Sequence, residues 1–274
     1  MHVYIYDGYV NAKKYDTVLA HIETRITDLG LNGKIIRLGV MKNVAEAVAN
    51  EIKHGAKTII AIGNDQTINK IINSVALFAI NNQTEVNIPL GLIPVGEKGN
   101  DIAPALGIEP GEKGCDVLSA RRIAKLDLGL AQTTNTSGQL SNYYFLSQAN
   151  IPCQGTFLEI NPLKGSIKSK FSIEVMEPGE INIINLSTLT DLPPKAKPNP
   201  QDGKLELYIK TKTAKKLSKL TSQISQSVFS SKKITVINKK SPLILDNSLN
   251  IKTPAEITVL SQKLNFIVGK ERRF

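Results

Sequence analysis

Val18, Leu19, Ile22, Ile26 and Leu29 recur at helical spacing and Gly30 ends the run, which predicts a helix over 16–29. A second helix is predicted from Asn43, a good cap, to His54, with Val44, Ala47, Val48 and Ile52 turned inward and Gly55 as the stop. Before, between and after these helices lie apolar runs at 3–6, 34–38, 58–62 and 88–94. They read as strands, and 58–62 is apolar enough to be buried on both faces. Further helices are expected at 68–80 and at 101–106, the latter stopping at Gly107. Strands alternating with helices predict a doubly wound, three-layer α/β domain built on a parallel sheet.

The pattern changes near Leu126. Strand-like stretches at 124–131, 142–149, 171–176, 181–186, 205–210, 233–238 and 243–245 are separated by turn residues. That spacing predicts an antiparallel β-sandwich domain. Leu217, Leu220, Ile224 and Val228 suggest one amphipathic helix over 214–228, and 189–202, rich in Pro and Lys, reads as a loop. The expected division is 1–125 for the first domain and 126–258 for the second, with 259–274 returning to complete the first.

Two of the predicted strands end in glycine-bearing turns. The first turn is Gly63-Asn64-Asp65-Gln66-Thr67, and the second runs from Gly96 through Gly99 to Asn100-Asp101. Such turns at the carboxyl ends of parallel strands can bring backbone N–H groups up to phosphate oxygens. Gly63, Gly96 and Gly99 permit that approach, and Asn64 is the non-glycine best tolerated in a left-handed position. Thr67 can donate a hydroxyl and cap the next helix. Gln66 would project into phosphate space, Glu97 would repel phosphate and Lys98 would attract it. Asp65 could position a magnesium ion, although an Asp near a helix start also serves as a turn residue. Asp101 reads first as a helix cap.

The chain has 274 residues, 41% of them hydrophobic, which suffices for two cores. The formal net charge is +10. Much of the excess lies in 204–240, where Glu206 is the sole acidic residue. This surface suits anionic headgroups or nucleotides, or simply keeps the chain soluble. Nucleic acid is not favoured, because arginines and aromatics are not interleaved with the lysines. No apolar run is long enough to span a bilayer. With no signal-peptide pattern, Cys115 and Cys153 read as reduced thiols of a cytoplasmic protein. Peripheral attachment to an anionic membrane and a homo-oligomer are both left open.

The two turns, taken with their strands, resemble the diacylglycerol kinase catalytic-domain family. That family carries Gly-Gly-Asp-Gly-Thr after a buried strand, then Leu-Gly-Ile-Ile-Pro-x-Gly-Thr-x-Asn-Asp-Phe-Ala. The second motif stands here as Leu90-Gly91-Leu92-Ile93-Pro94-Val95-Gly96-Glu97-Lys98-Gly99-Asn100-Asp101-Ile102-Ala103. Asp202-Gly203-Lys204-Leu205-Glu206-Leu207 and Asp246-Asn247-Ser248 resemble later family segments. The resemblance implies an NAD kinase-like fold and an ATP- and Mg²⁺-dependent transfer of phosphate to a lipid hydroxyl such as that of diacylglycerol. It implies nucleotide binding by Gly63, Asn64, Thr67, Gly96, Gly99 and Asn100, a catalytic and metal role for Asp65, and a metal-linked role for Asp202.

Several positions depart from the family pattern. Asn64 and Gln66 replace glycines, and the second turn has about one added residue. The early Asn-Pro-x-Ser-Gly is replaced by Tyr6-Asp7-Gly8-Tyr9-Val10-Asn11. The family's catalytic Glu falls at Ser248, which has no useful basicity near neutral pH. Two readings follow: a lipid kinase of impaired activity, or a non-catalytic relative that binds nucleotide, lipid or protein.

Overall fold

The computed structural model describes residues 1–39, 43–96, 98–134, 138–162, 170–214 and 222–274. The chain divides into two compact units, Met1–Leu126 with Gln262–Phe274, and Asp127–Ser261.

The first unit starts with β1 (His2–Tyr6), two short 3-10 turns and α1 (Asp16–Asp28). It continues through β2 (Gly33–Arg37), α2 (Val44–Lys53), β3 (Thr58–Gly63) and α3 (Asp65–Asn81). Next come β4 (Leu90–Pro94), α4 (Ile102–Ala105), α5 (Glu112–Ala120) and the start of β5 (Ile123–Thr134). The sheet runs β2-β1-β3-β4, every pair parallel, and the end of β15 (Ala255–Ile267) joins β4 in parallel through Phe266 and Leu90. β3 and β4 are buried along their whole length, as strands covered on both faces must be. On one face Tyr4, Tyr6, Ile60, Ile62 and Ile93 pack against Leu19, Ile22 and Ile26 of α1 and Cys115 and Leu118 of α5. α2 and α3 pack together elsewhere in this unit. Asn43 caps α2 by accepting the Ala45 N–H at 2.9 Å. The tail is tied in by backbone bonds from Gly269 to Leu106 and from Arg273 to Ala105.

The second unit holds the rest of β5, β6 (Leu140–Phe145), β7 (Gln148–Pro152), β8 (Thr156–Pro162) and β9 (Phe171–Val175). It continues with β10 (Gly179–Ile184), β11 (Leu205–Ala214), β12 (Ser222–Ile237), β13 (Leu243–Leu245), β14 (Leu249–Ile251) and the start of β15. All of its strand pairs with a defined register are antiparallel. β12 pairs β11 along its first part, then lies between β8 and β15 beyond a bulge at Ser231/Lys233. Ser231 fills that bulge, donating its hydroxyl to backbone oxygens of Asn161 or Lys233. Side chains from both sets of strands, among them Ile151, Ile183, Leu207, Ile160, Ile234 and Ile257, enclose one core. The fold is therefore α/β plus an antiparallel β unit.

Two local expectations need correction. The helix expected over 214–228 is not formed where the chain is described. Ala214 closes β11 and Ser222–Val228 belongs to β12, paired with residues 208–214, while 215–221 lie outside the described residues. The antiparallel ladder outweighs a weak periodicity, and Ile224, which that periodicity would bury, stays exposed. The stretch 142–149 is two strands, because the chain leaves the ladder at Leu146-Ser147 to bond Asp246. Among the described residues no helix is long and apolar enough to cross a membrane.

Candidate nucleotide site and its carboxylates

The first turn is closed on itself. Asn64 is the N-cap of α3: its side-chain oxygen accepts the Thr67 N–H at 3.2 Å, while the Asn64 N–H donates to Thr67 Oγ1 at 3.1 Å. This is a capping box. Asn64 sits at φ −120°, in extended backbone, so it is not the left-handed residue expected from its place in the motif. Cap geometry selects Asn there. Gly63 is required by space: a Cβ would run into the Thr67 side chain. Thr67 Oγ1 donates in turn to Asp7 Oδ2 at 2.9 Å, and Lys70 Nζ lies 3.4 Å from the same oxygen. Asp7 thus joins the site from the end of β1, where the sequence showed only the loss of a family motif. Gln66 is exposed.

The second turn is fastened to the first. The Asp65 N–H donates to Gly99 O at 2.7 Å. The Asp65 carboxylate, 4% exposed, accepts the Asp101 N–H at 2.7 Å and the Ile102 N–H at 3.2 Å. Asp65 therefore caps α4, the task expected of Asp101, whose own side chain makes no capping bond. Gly96 and Gly99 have φ of +99° and +69°, conformations that favour glycine. The rings of Tyr9 and Tyr15 meet edge to face near Gly96, and Tyr9 donates its hydroxyl to Val95 O. Asn100 donates its amide to Gly96 O at 2.7 Å. Its side-chain oxygen is buried and, among the described residues, has no partner. Glu97 lies outside the described residues; Lys98 is exposed.

Two adjoining turns after neighbouring parallel strands, one with Gly-Asn-Asp and one with Gly-Asn-Asp-Ile-Ala, are the arrangement that the family resemblance required. Residues 3–131 match the diacylglycerol kinase catalytic domain family. The resemblance read from the motifs is borne out over that stretch.

Solved structures agree on the fold. A diacylglycerol kinase from Bacillus anthracis str. Sterne superposes with a TM-score of 0.68 at 16% identity, covering 98% of this chain and 97% of that one. A further structure from that organism superposes at 0.69 with 17% identity over the same shares. Yeast NADH kinase complexed with NADH superposes at 0.53 with 14% identity, covering 99% of this chain and 84% of that one. No curated protein matches the chain in sequence.

The remaining candidate carboxylates belong to the second unit, and each is occupied. Asp246 and Asn247, at φ +44° and +52°, form a tight turn between β13 and β14, closed by the Ser248 N–H to Leu245 O. Positive φ at both central positions is the hairpin geometry that Asp and Asn tolerate. The Asp246 side chain, 3% exposed, accepts N–H bonds from Leu146, Ser147 and Gln148 at 2.8–3.0 Å. Ser248 offers only a hydroxyl, 3.5 Å from Leu245 O. Asp202 closes its own turn, accepting the Lys204 N–H and pairing with the Lys204 ammonium. Asp127, which the sequence did not single out, is fully buried and accepts the Gly203 N–H at 2.7 Å. Among the described residues no three His, Cys, Asp or Glu side chains are grouped to hold a metal ion.

Proposed function

We propose that this chain is a nucleotide-binding member of the lipid-kinase group that has lost efficient phosphoryl transfer. The observation carrying the proposal is the use of the Asp65 carboxylate. Both oxygens accept backbone N–H groups from the second turn. Magnesium at Asp65 would compete with those bonds, so a metal does not fit there, and no step is routed through one. The N–H groups of Asn64, Asp65 and Thr67 are likewise spent within the protein. They do not form the open phosphate cradle of an active kinase.

Nucleotide retention rests on Asn100. A buried acceptor without a donor is costly unless a ligand supplies one. A sugar hydroxyl or an amino group is such a donor. Lys98, beside the turn, favours phosphate by charge. The missing base is the second loss. A positioned general base contributes about 10²–10⁴-fold, and Ser248 cannot replace it. The lysine-rich 204–240 segment remains the candidate for contact with an anionic lipid surface.

The test is ATP binding by thermal shift, with and without Mg²⁺, followed by label transfer from ATP to vesicles containing diacylglycerol. The expected result is a saturable shift that does not depend on Mg²⁺, with turnover at least about 10²-fold below the range of roughly 1–100 s⁻¹ usual for kinases. Absence of any shift would overturn nucleotide binding. Mg²⁺-dependent turnover within the kinase range would overturn the loss of catalysis.

A further inference from the structure

A cavity of about 390 Å³ opens in the first unit at the end of the sheet remote from the two turns. Its position follows from its lining: His2 and Thr58 begin β1 and β3, and Pro89 precedes β4. The turns carrying Asp65 and Asn100 follow the opposite, carboxyl ends of these strands. The volume lies in the range of small-molecule sites, about 300–1,000 Å³.

The lining separates into two chemistries. Ile60, Leu118 and Ile267 form a buried apolar wall. Ile123, another lining residue, is 53% exposed at the mouth. The polar part carries Lys57, Arg121 and His2, and among the described residues no carboxylate lines the cavity. Among the described residues neither Lys57 nor Arg121 makes an ion pair. Arg121 is held at φ +48°, a conformation that non-glycine residues adopt at a cost. Burial and the nearby guanidinium of Arg121 hold the His2 imidazole below its usual range, so at neutral pH it can donate or accept a hydrogen bond without adding charge.

We infer that this cavity binds a single acyl chain ending in an oxyanion, with the chain along the apolar wall and the head at Lys57 and Arg121. An uncharged chain would leave the two cations unanswered. A bare anion would leave the apolar wall in water, where about 25 cal/mol per Å² of burial is forgone. This inference stands apart from the nucleotide reading, since it uses residues at the other end of the sheet. The head can be a carboxylate or a phosphate.

The experiment is calorimetric titration of the full chain with dodecanoate, dodecyl phosphate, dodecanol and inorganic phosphate, below micelle-forming concentrations. Saturable binding of either charged amphiphile at one site per chain is expected, and the tighter of the two identifies the head. Dodecanol should bind on the order of tenfold more weakly, and inorganic phosphate should not bind measurably. The exposed double variant Lys57→Gln/Arg121→Gln should lose on the order of tenfold for the charged amphiphiles with an unchanged unfolding midpoint. Ile123→Trp should weaken all of the chains by crowding the mouth. Equal binding of dodecanol, or wild-type binding by the double variant, would overturn the inference. So would displacement of the amphiphile by ATP. A lowered unfolding midpoint with unchanged binding would mark the two cations as partners of nearby helix ends and overturn it as well.

Discussion

The Asp65 carboxylate and the Asp101 N–H are 2.7 Å apart, so a residue in the turn after β3 caps the helix after the turn of β4. This bond converts a residue expected to meet magnesium into a clamp between two loops. Replacing Asp65 with Ala should strand two part-buried or buried N–H groups and cost about 2–4 kcal/mol in metal-free urea denaturation. Asp65→Asn should recover part of that loss, because one oxygen remains. If Asp65→Ala left metal-free stability unchanged, the clamp would not be its role.

Gly129 and Phe145 face each other across β5 and β6, and a Cβ on Gly129 would enter the Phe145 ring. The ring covers the glycine, a pairing that stabilises sheets. Gly129→Ala should cost about 1–3 kcal/mol by overpacking. In a Phe145→Leu background the same change should cost less, with a coupling of about 0.5–3 kcal/mol in a double-mutant cycle. Equal penalties in the two backgrounds would refute the contact as the cause.

Both cysteines are buried, and burial pushes the Cys115 thiol up to about 12 and the Cys153 thiol up to about 11. The thiolate is the reactive form. At pH 8 neither should react with a disulfide reagent in the native protein, and both should react in denaturant. Above the unfolded value of 9.0, unfolded thiols ionise and folded ones do not, so stability should decline as pH rises. Rapid native labelling of either thiol would contradict this.

Glu206 is buried beside Ser230, whose hydroxyl donates to it at 2.6 Å. Burial, helped by Asp202 and opposed by the Ser230 bond, raises its pKa above 4.5. Ionising Glu206 is therefore harder in the folded protein than in the unfolded chain. Glu206→Gln keeps the acceptor and removes the charge, so it should raise the thermal midpoint at pH 7. The gain should vanish below pH 4.5, where unfolded Glu is also protonated. A lower midpoint at pH 7 would show that the charge is used.

Elements with strong local signals were legible in the chain itself. The runs of β1, β3 and β4 and the inward stripe of α1 are where periodicity placed them, while in α2 only Val48 of the predicted stripe is buried, beside Glu51. α5 gave little signal, since Gly114 interrupts a weak pattern; it forms because Cys115 and Leu118 enter the core beside Ile22. β15 was not among the predicted strands; its ladder partners include Lys233–Val236 and Leu90, the latter far away in sequence. The helix expected over 214–228 shows the opposite failure, a local pattern overruled by a ladder.

The alternation of strands and helices in the first unit and the glycine turns follow from the sequence, because spacing and side-chain chemistry are local properties. How each carboxylate is used is not local. Asp65 is bonded to residues 36 and 37 positions away, and Asp246 to residues about 100 positions away. A carboxylate looks the same in sequence whether it will accept a metal or a backbone N–H. Only folding, which decides whose donor arrives first and excludes water, fixed these as structural groups.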